Sequence, residues 1–199
     1  MEKSNNNNIE RLYTAIFKRR QGQSRPFQFD MTGEYINYWF SLPKKGLTPQ
    51  KSSIDPRGMI RMLPGAIMLE KDPASGGYRI RLFGTGNVTR WGFEATNADY
   101  MDLLPPQHRN AISKKFAQSI EYPCGLILSG DELYTSGRII RNEMALFPMH
   151  ADDPGKAILF GLITAAPDQH NEYANDVLAS VFYTISATHY VNIGAGVPG

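Results

Sequence analysis

The stretch Tyr78-Arg-Ile-Arg-Leu-Phe-Gly-Thr-Gly-Asn-Val-Thr-Arg-Trp-Gly92 decides how this chain folds. Tyr78, Ile80 and Leu82 alternate with Arg79 and Arg81, the period-2 pattern of a strand with one face in a core and one in water. Gly84 and Gly86 then predict a sharp turn into a short helical segment carrying Arg90 and Trp91. A half-buried strand feeding short helices that fold back over a sheet walls a pocket, and no catalytic group is needed for that.

The flanking sequence supplies the rest of the sheet. Upstream, residues 66–69 read as a strand, with a Pro- and Gly-containing turn joining it to residues 78–83 as a hairpin. Downstream, a helix over residues 108–121 places Ile112, Phe116 and Ile120 on one face and Lys114 and Lys115 on the other. Three strands follow at residues 125–128, 138–147 and 157–164, joined by Gly- and Asp-rich turns. Hairpin-length connections make the expected sheet five-stranded and antiparallel, with helices over one face, an α+β architecture. In the last strand Ile158, Phe160 and Leu162 lie on one side, and Leu159 and Ile163 make the other side apolar too, so both faces of the sheet must be covered.

Amphipathic helices are expected at both ends. Ile9, Leu12, Tyr13, Ile16 and Phe17 form one stripe at helical spacing, and Ala174, Val177, Leu178, Val181, Phe182 and Ile185 form another over residues 173–189. Between them, Asp30 is placed to cap a helix bearing Tyr35, Ile36, Trp39 and Phe40, and Leu42-Pro43 ends it. Residues 44–53 read as a polar loop. Asp55-Pro56 opens a further short helix, with a capping carboxylate beside a proline at the first helical position. The expected division is a terminal helix and linker over 1–30, a central domain over 31–167, and a C-terminal helix with a Gly-rich tail over 168–199.

Taken with Tyr38-Trp39, Leu42-Pro43, Pro49, Asp55-Pro56, Leu63-Pro64 and Glu143-Met-Ala-Leu-Phe-Pro148, the opening stretch resembles a family of stand-alone bacterial proteins built on the PAS fold, typically met in alphaproteobacteria. The resemblance spans roughly residues 35–166, and the order of several weak motifs carries it. One departure is visible. Many relatives have glycine where this chain has Asn97 after Thr96, and asparagine tolerates the left-handed backbone such a turn requires. The resemblance implies a cytoplasmic sensory or adaptor module that signals by binding, without an output domain of its own, and links to motility or cell-cycle control.

Composition bounds the chemistry. With 21 basic and 19 acidic residues the net charge is +2, which gives no basic stripe for nucleic acid. Cys124 is the only cysteine, so an internal disulfide is excluded and a reducing cytoplasm fits. Residues 1–8 lack the apolar core of a signal peptide, and no apolar run spans a bilayer.

His108, His150, His170 and His189 show no metal-ligand spacing, and no metal is expected. Haem is disfavoured, because only His108 is placed near the central helices. Flavin chemistry is disfavoured too, because Cys124 sits at a strand start between Pro123 and Gly125. Gly84-Thr85-Gly86 follows a strand but lacks the third glycine and the βαβ context of a dinucleotide fingerprint. Asp131-Glu132 and Asp152-Asp153 read as solvated turns, and Arg138, Arg141 and Glu143 as charges on a wet sheet face.

The remaining candidate is a pocket lined by Phe83, Trp91, Phe116, Ile120, Leu126, Met144 and Leu146, with Arg90 as the polar anchor for a small-molecule ligand. The expected contact surface for a second copy or a protein partner comprises Ile9, Leu12, Ile16 and Phe17 with Val177, Val181 and Phe182. The alternative is an enzyme with a small apolar substrate in the same pocket, for which Asp99, Asp102 or His108 would have to supply an acid or base.

Overall fold

The structure, a computed structural model, describes residues 27–153, 155–167 and 176–198. The N-terminal stripe from Ile9 to Phe17 therefore lies outside the described residues, as does Ala174.

The first described helix, α1 (Asp30–Ser41), buries Tyr35, Ile36 and Trp39. Its N-cap is Phe29 rather than Asp30, which sits in the first turn, where a carboxylate faces the positive end of the helix dipole. At the other end Lys44 Nζ donates to the Phe40 carbonyl at 2.7 Å and to the Leu42 carbonyl at 3.2 Å, a cation on the negative end. The segment expected as a polar loop holds a small hairpin, β1 (Lys44–Lys45) with β2 (Thr48–Pro49), and a 3₁₀ turn at Lys51–Ser53. Asp55 caps the next 3₁₀ turn, Pro56–Met59, by accepting from the Arg57 N–H at 3.0 Å.

A single antiparallel sheet follows, of six strands rather than five. β3 (Ala66–Lys71) and β4 (Tyr78–Phe83) form the expected hairpin, followed by α2 (Thr85–Trp91), a 3₁₀ turn at Tyr100–Leu103 and α3 (Pro106–Glu121). Then come β5 (Cys124–Tyr134), β6 (Ile139–His150), β7 (Ala157–Ala165) and β8 (Leu178–Asn192). The order across the sheet is β4-β3-β7-β6-β5-β8. Gly84 serves by close approach rather than by unusual dihedrals: its φ is −65°, and an added Cβ would lie 2.4 Å from the Leu63 and Pro64 carbonyl oxygens. Asn97 adopts φ 73°, the left-handed conformation expected of it.

The sixth strand occupies the place where the sequence pattern predicts a C-terminal helix. Val177, Val181 and Ile185 fall at helical spacing, yet the segment is rich in Val, Phe, Tyr, Thr and Ile, which fit a pleated surface better than a helix. Tertiary pairing with β5 decides the matter. Bulges reconcile the spacing with a strand, because two steps on β5, from Asp131 to Leu133, answer to four on β8, from Thr184 to Ser180. Within that bulge Phe182 has φ 47°, and both Val181 and Phe182 turn inward and are fully buried. Gly130 makes room for this, since a Cβ there would lie 2.1 Å from the Thr184 carbonyl oxygen and against the Phe182 ring.

The sheet separates two apolar clusters. One face carries Ile67, Leu69, Leu126, Leu128, Met144, Leu146, Leu159 and Ile163 beneath α2, the Tyr100–Leu103 turn and α3. The other carries Ile127, Ala145, Phe147, Phe160 and Leu162 beneath α1. Tyr35 of α1 sits edge-on to Phe147 and Phe160 and donates its hydroxyl proton to the Phe160 carbonyl. Both faces of β7 are apolar because both are covered.

Candidate functional site

The face beneath α2 and α3 brings together the residues expected to line a pocket. Phe83 and Trp91 pack with ring centroids 4.8 Å apart. Phe116 sits between Tyr78, at 5.0 Å, and Tyr100, at 5.8 Å. Leu126, Met144 and Leu146 are buried in the same cluster, and Ile120 is partly buried against it. Arg90 lies at the margin, its side chain 19% exposed.

At the centre is a carboxylate. Glu132 on β5 is fully buried and accepts five hydrogen bonds. Arg90 grips it with both arms of the guanidinium, Nε to Oε2 at 3.1 Å and Nη2 to Oε1 at 3.2 Å. Trp91 Nε1 donates to Oε1 at 2.9 Å, Asn142 Nδ2 to Oε1 at 3.1 Å, and the Tyr134 hydroxyl to Oε2 at 2.9 Å. A buried carboxylate is tolerable only when a cation and further donors replace its water, and all of these are present. The expected ligand anchor Arg90 is thus engaged by the chain's own acid.

Sequence reasoning missed Glu132 by ending the strand at Leu128 and reading Asp131-Glu132 as an exposed turn. The strand runs on to Tyr134. Extending the alternation through Leu126, Leu128 and Gly130 puts Glu132 and Tyr134 on the same inward face, and that period was the available signal. Burial pushes the Tyr134 hydroxyl far above its usual range, and the neighbouring Glu132 charge adds to this. Burial, with the Glu132 charge adding to it, likewise raises the Tyr100 hydroxyl strongly. Among the described residues, the buried polar atoms without a hydrogen-bond partner include Tyr78 Oη, Tyr100 Oη and Asn142 Oδ1 on this face, and Asn87 Oδ1 on α2.

The charges predicted for a wet sheet face divide three ways. Arg141 Nε lies 3.7 Å from Asp131 on the exposed side, as expected. Glu143 is fully buried beneath the start of α1, where Oε2 accepts from the Gln28 N–H at 2.8 Å and the Ser129 hydroxyl at 3.2 Å. Arg138 stacks over Tyr134 at 4.2 Å and donates to Asp176 at 2.9 Å. Asp176 also accepts from the Ser136 N–H and the Ser136 and Thr135 hydroxyls, which ties the start of β8 to the β5–β6 turn. Burial opposes its ionisation, yet these hydrogen bonds and Arg138 together hold its carboxyl down at about 2.

Of the expected contact surface, Ile9, Leu12, Ile16 and Phe17 lie outside the described residues; among those described, Val181 and Phe182 are buried in the chain's own core and Val177 is exposed. The residues named for acid–base work serve the fold. Asp99 accepts from the Tyr78 and Met101 N–H groups, and Asp102 pairs with Arg109 at 3.7 Å. His108 is in the first turn of α3. Among the described residues, no group of three or more His, Cys, Asp or Glu could hold a metal ion, and no helix is long and apolar enough to cross a membrane.

Residues 28–164, most of the chain, match the PAS domain. This chain belongs to the PAS-domain family. No curated protein matches it. In this PAS domain β8 falls beyond the matched residues, whereas Arg90, Trp91, Glu132, Tyr134 and Asn142 all fall within them.

Proposed function

We propose that this PAS domain is a sensory or adaptor module that works by binding, in a bacterial cytoplasm, and that the face beneath α2 and α3 holds a small polar molecule. The three unpartnered atoms Tyr78 Oη, Tyr100 Oη and Asn142 Oδ1 carry this reading. A buried polar group left without a partner costs about 1–3 kcal/mol, and a molecule able to donate to an amide oxygen and bond two phenols offsets that. Phe83, Trp91, Phe116, Ile120, Leu126, Met144 and Leu146 are its apolar surroundings, and Arg90 links it to the surface. Haem and a thiol-reactive flavin are the disfavoured occupants. His108 belongs to the first turn of α3, and burial pushes the Cys124 thiol up to about 11, far from a reactive thiolate. A general base is not favoured on this face, since the lone pairs of Glu132 are already taken by five donors.

Native mass spectrometry of protein purified from cells, set against its denatured mass, tests this. A retained small molecule that is lost in an Asn142→Leu variant is the expected result. A wild-type protein that is empty when natively sprayed assigns the signalling to protein contacts alone.

A further inference from the structure

The two edges of the sheet are treated differently. At the β4 edge, residues 95–99 close over the strand: the Ile80 N–H donates to the Ala98 carbonyl at 2.9 Å, and the Asn97 N–H donates to the Ile80 carbonyl at 2.8 Å. Arg79 and Asp99 add a bridge, and the Arg79 and Arg81 side chains donate to Asn97. Charged side chains and a covering segment are how native sheets block further pairing.

The β8 edge has none of these protections among the described residues. Its strand pairs are all with β5, and it ends the sheet. Its fifteen residues, Leu-Ala-Ser-Val-Phe-Tyr-Thr-Ile-Ser-Ala-Thr-His-Tyr-Val-Asn, include no Asp, Glu, Lys, Arg or Pro. Bulges disturb the first half, but from Ala187 to Asn192 the register runs unbroken, the length of an ordinary strand. Beyond it the chain turns away. Asn192 Oδ1 accepts from the Gly194 and Gly196 N–H groups, and Gly194 packs close to Leu47 of the small hairpin, so the tail does not run back along the edge.

We propose that residues 187–192 of β8 pair antiparallel with the same residues of a second copy, making a continuous twelve-stranded sheet across a two-fold axis. A two-fold contact sets residue i of one copy against residue j of the other and j against i, and a strand without Asp, Glu, Lys or Arg brings no like charges together in any such register. The proposal rests on the reading of this PAS domain as a binding module and names the surface through which two copies meet.

The test is light scattering on the full chain during size exclusion, over a roughly hundred-fold dilution series, for wild type and for the double variant S186K/H189K, two exposed positions on the edge strand. Wild type is expected at twice 22.3 kDa and the variant at 22.3 kDa, with unchanged circular dichroism. Hydrogen exchange in wild type should show amides in 187–192 that are protected in the dimer and lose protection on dilution. A wild-type monomer at every concentration overturns the proposal, as does a dimer that survives in the variant with those amides exchanging freely. Native mass spectrometry of the monomeric variant separates this from the ligand reading, because a molecule retained by the monomer leaves that reading standing whatever the edge does.

Discussion

Glu132 and Glu143 are the same residue type, equally buried, on neighbouring strands of one sheet, and they are handled in opposite ways. Glu132 faces α2 and meets a bidentate guanidinium, an indole N–H, an amide and a phenol. Glu143 faces α1 and meets one backbone N–H and one hydroxyl, both on Oε2, while Oε1 has no partner among the described residues. The first is a closed network joining α2, β5 and β6. The second is a pin that fastens the chain at Gln28, just before α1, onto the sheet. A buried acid therefore reports function or architecture only through its partners, and the two sites can be told apart by how each responds to losing charge.

The largest effect belongs to Glu132→Ala. It strands Arg90, Trp91 Nε1, the Tyr134 hydroxyl and Asn142 Nδ2 without an acceptor, and removal of one side of such a pair costs about 3–5 kcal/mol, read as a lowered urea midpoint. Arg90→Ala should cost less, about 2–3 kcal/mol, because Glu132 keeps three donors and Arg90 is partly exposed. The pair R90M/E132L should recover part of both losses, since no charge is left unmatched. Additive losses in the double variant would break the claim that these residues act as one network.

The same contrast explains what the sequence makes legible. The hairpin at residues 66–83, the turn at Gly84 and the helix carrying Phe116 follow from periods of 2 and 3.6 and from glycine placement, and these set most of the residues buried beneath α2 and α3. Glu132 and Glu143 are illegible to a rule that puts acids in turns or on wet faces, because each is buried by partners distant in sequence: Arg90 lies 42 residues from Glu132, and Gln28 lies 115 from Glu143. β8 is misread for another reason. Its apolar residues fit a helical stripe, and only the bulges opposite β5 show that the spacing belongs to a strand.

Asp176 extends the comparison to a buried acid at the start of β8. Its carboxyl titrates at about 2 in the folded protein, below the ordinary carboxylate value of 3.8. A depressed folded value stabilises the protein above pH about 4, and that contribution is lost as pH falls from about 4 to about 2. In Asp176→Asn the loss is present at neutral pH, about 1–2 kcal/mol through weaker hydrogen bonds to Ser136, Thr135 and Arg138, and the acid limb of the stability curve flattens. Urea titrations at pH 3, 4 and 7 measure it. A variant whose deficit is as large at pH 3 as at pH 7 would show that Asp176 does not hold β8 through its charge.

Glu143→Gln should have the smallest effect of the series, about 1 kcal/mol or less at neutral pH. The glutamine oxygen can still accept from the Gln28 N–H and the Ser129 hydroxyl, and the substitution removes a carboxylate that no cation pairs with among the described residues. Its amide takes the place of the oxygen that has no partner, so nothing satisfied is lost there. Glu132→Gln is the matched control, because an amide nitrogen on that side meets donors wherever it points. The difference between the two midpoints measures how far a closed network exceeds a pin. Equal losses would mean that Glu143 is balanced by charge that the geometry of Gln28 and Ser129 does not reveal, and the distinction between the faces would fall.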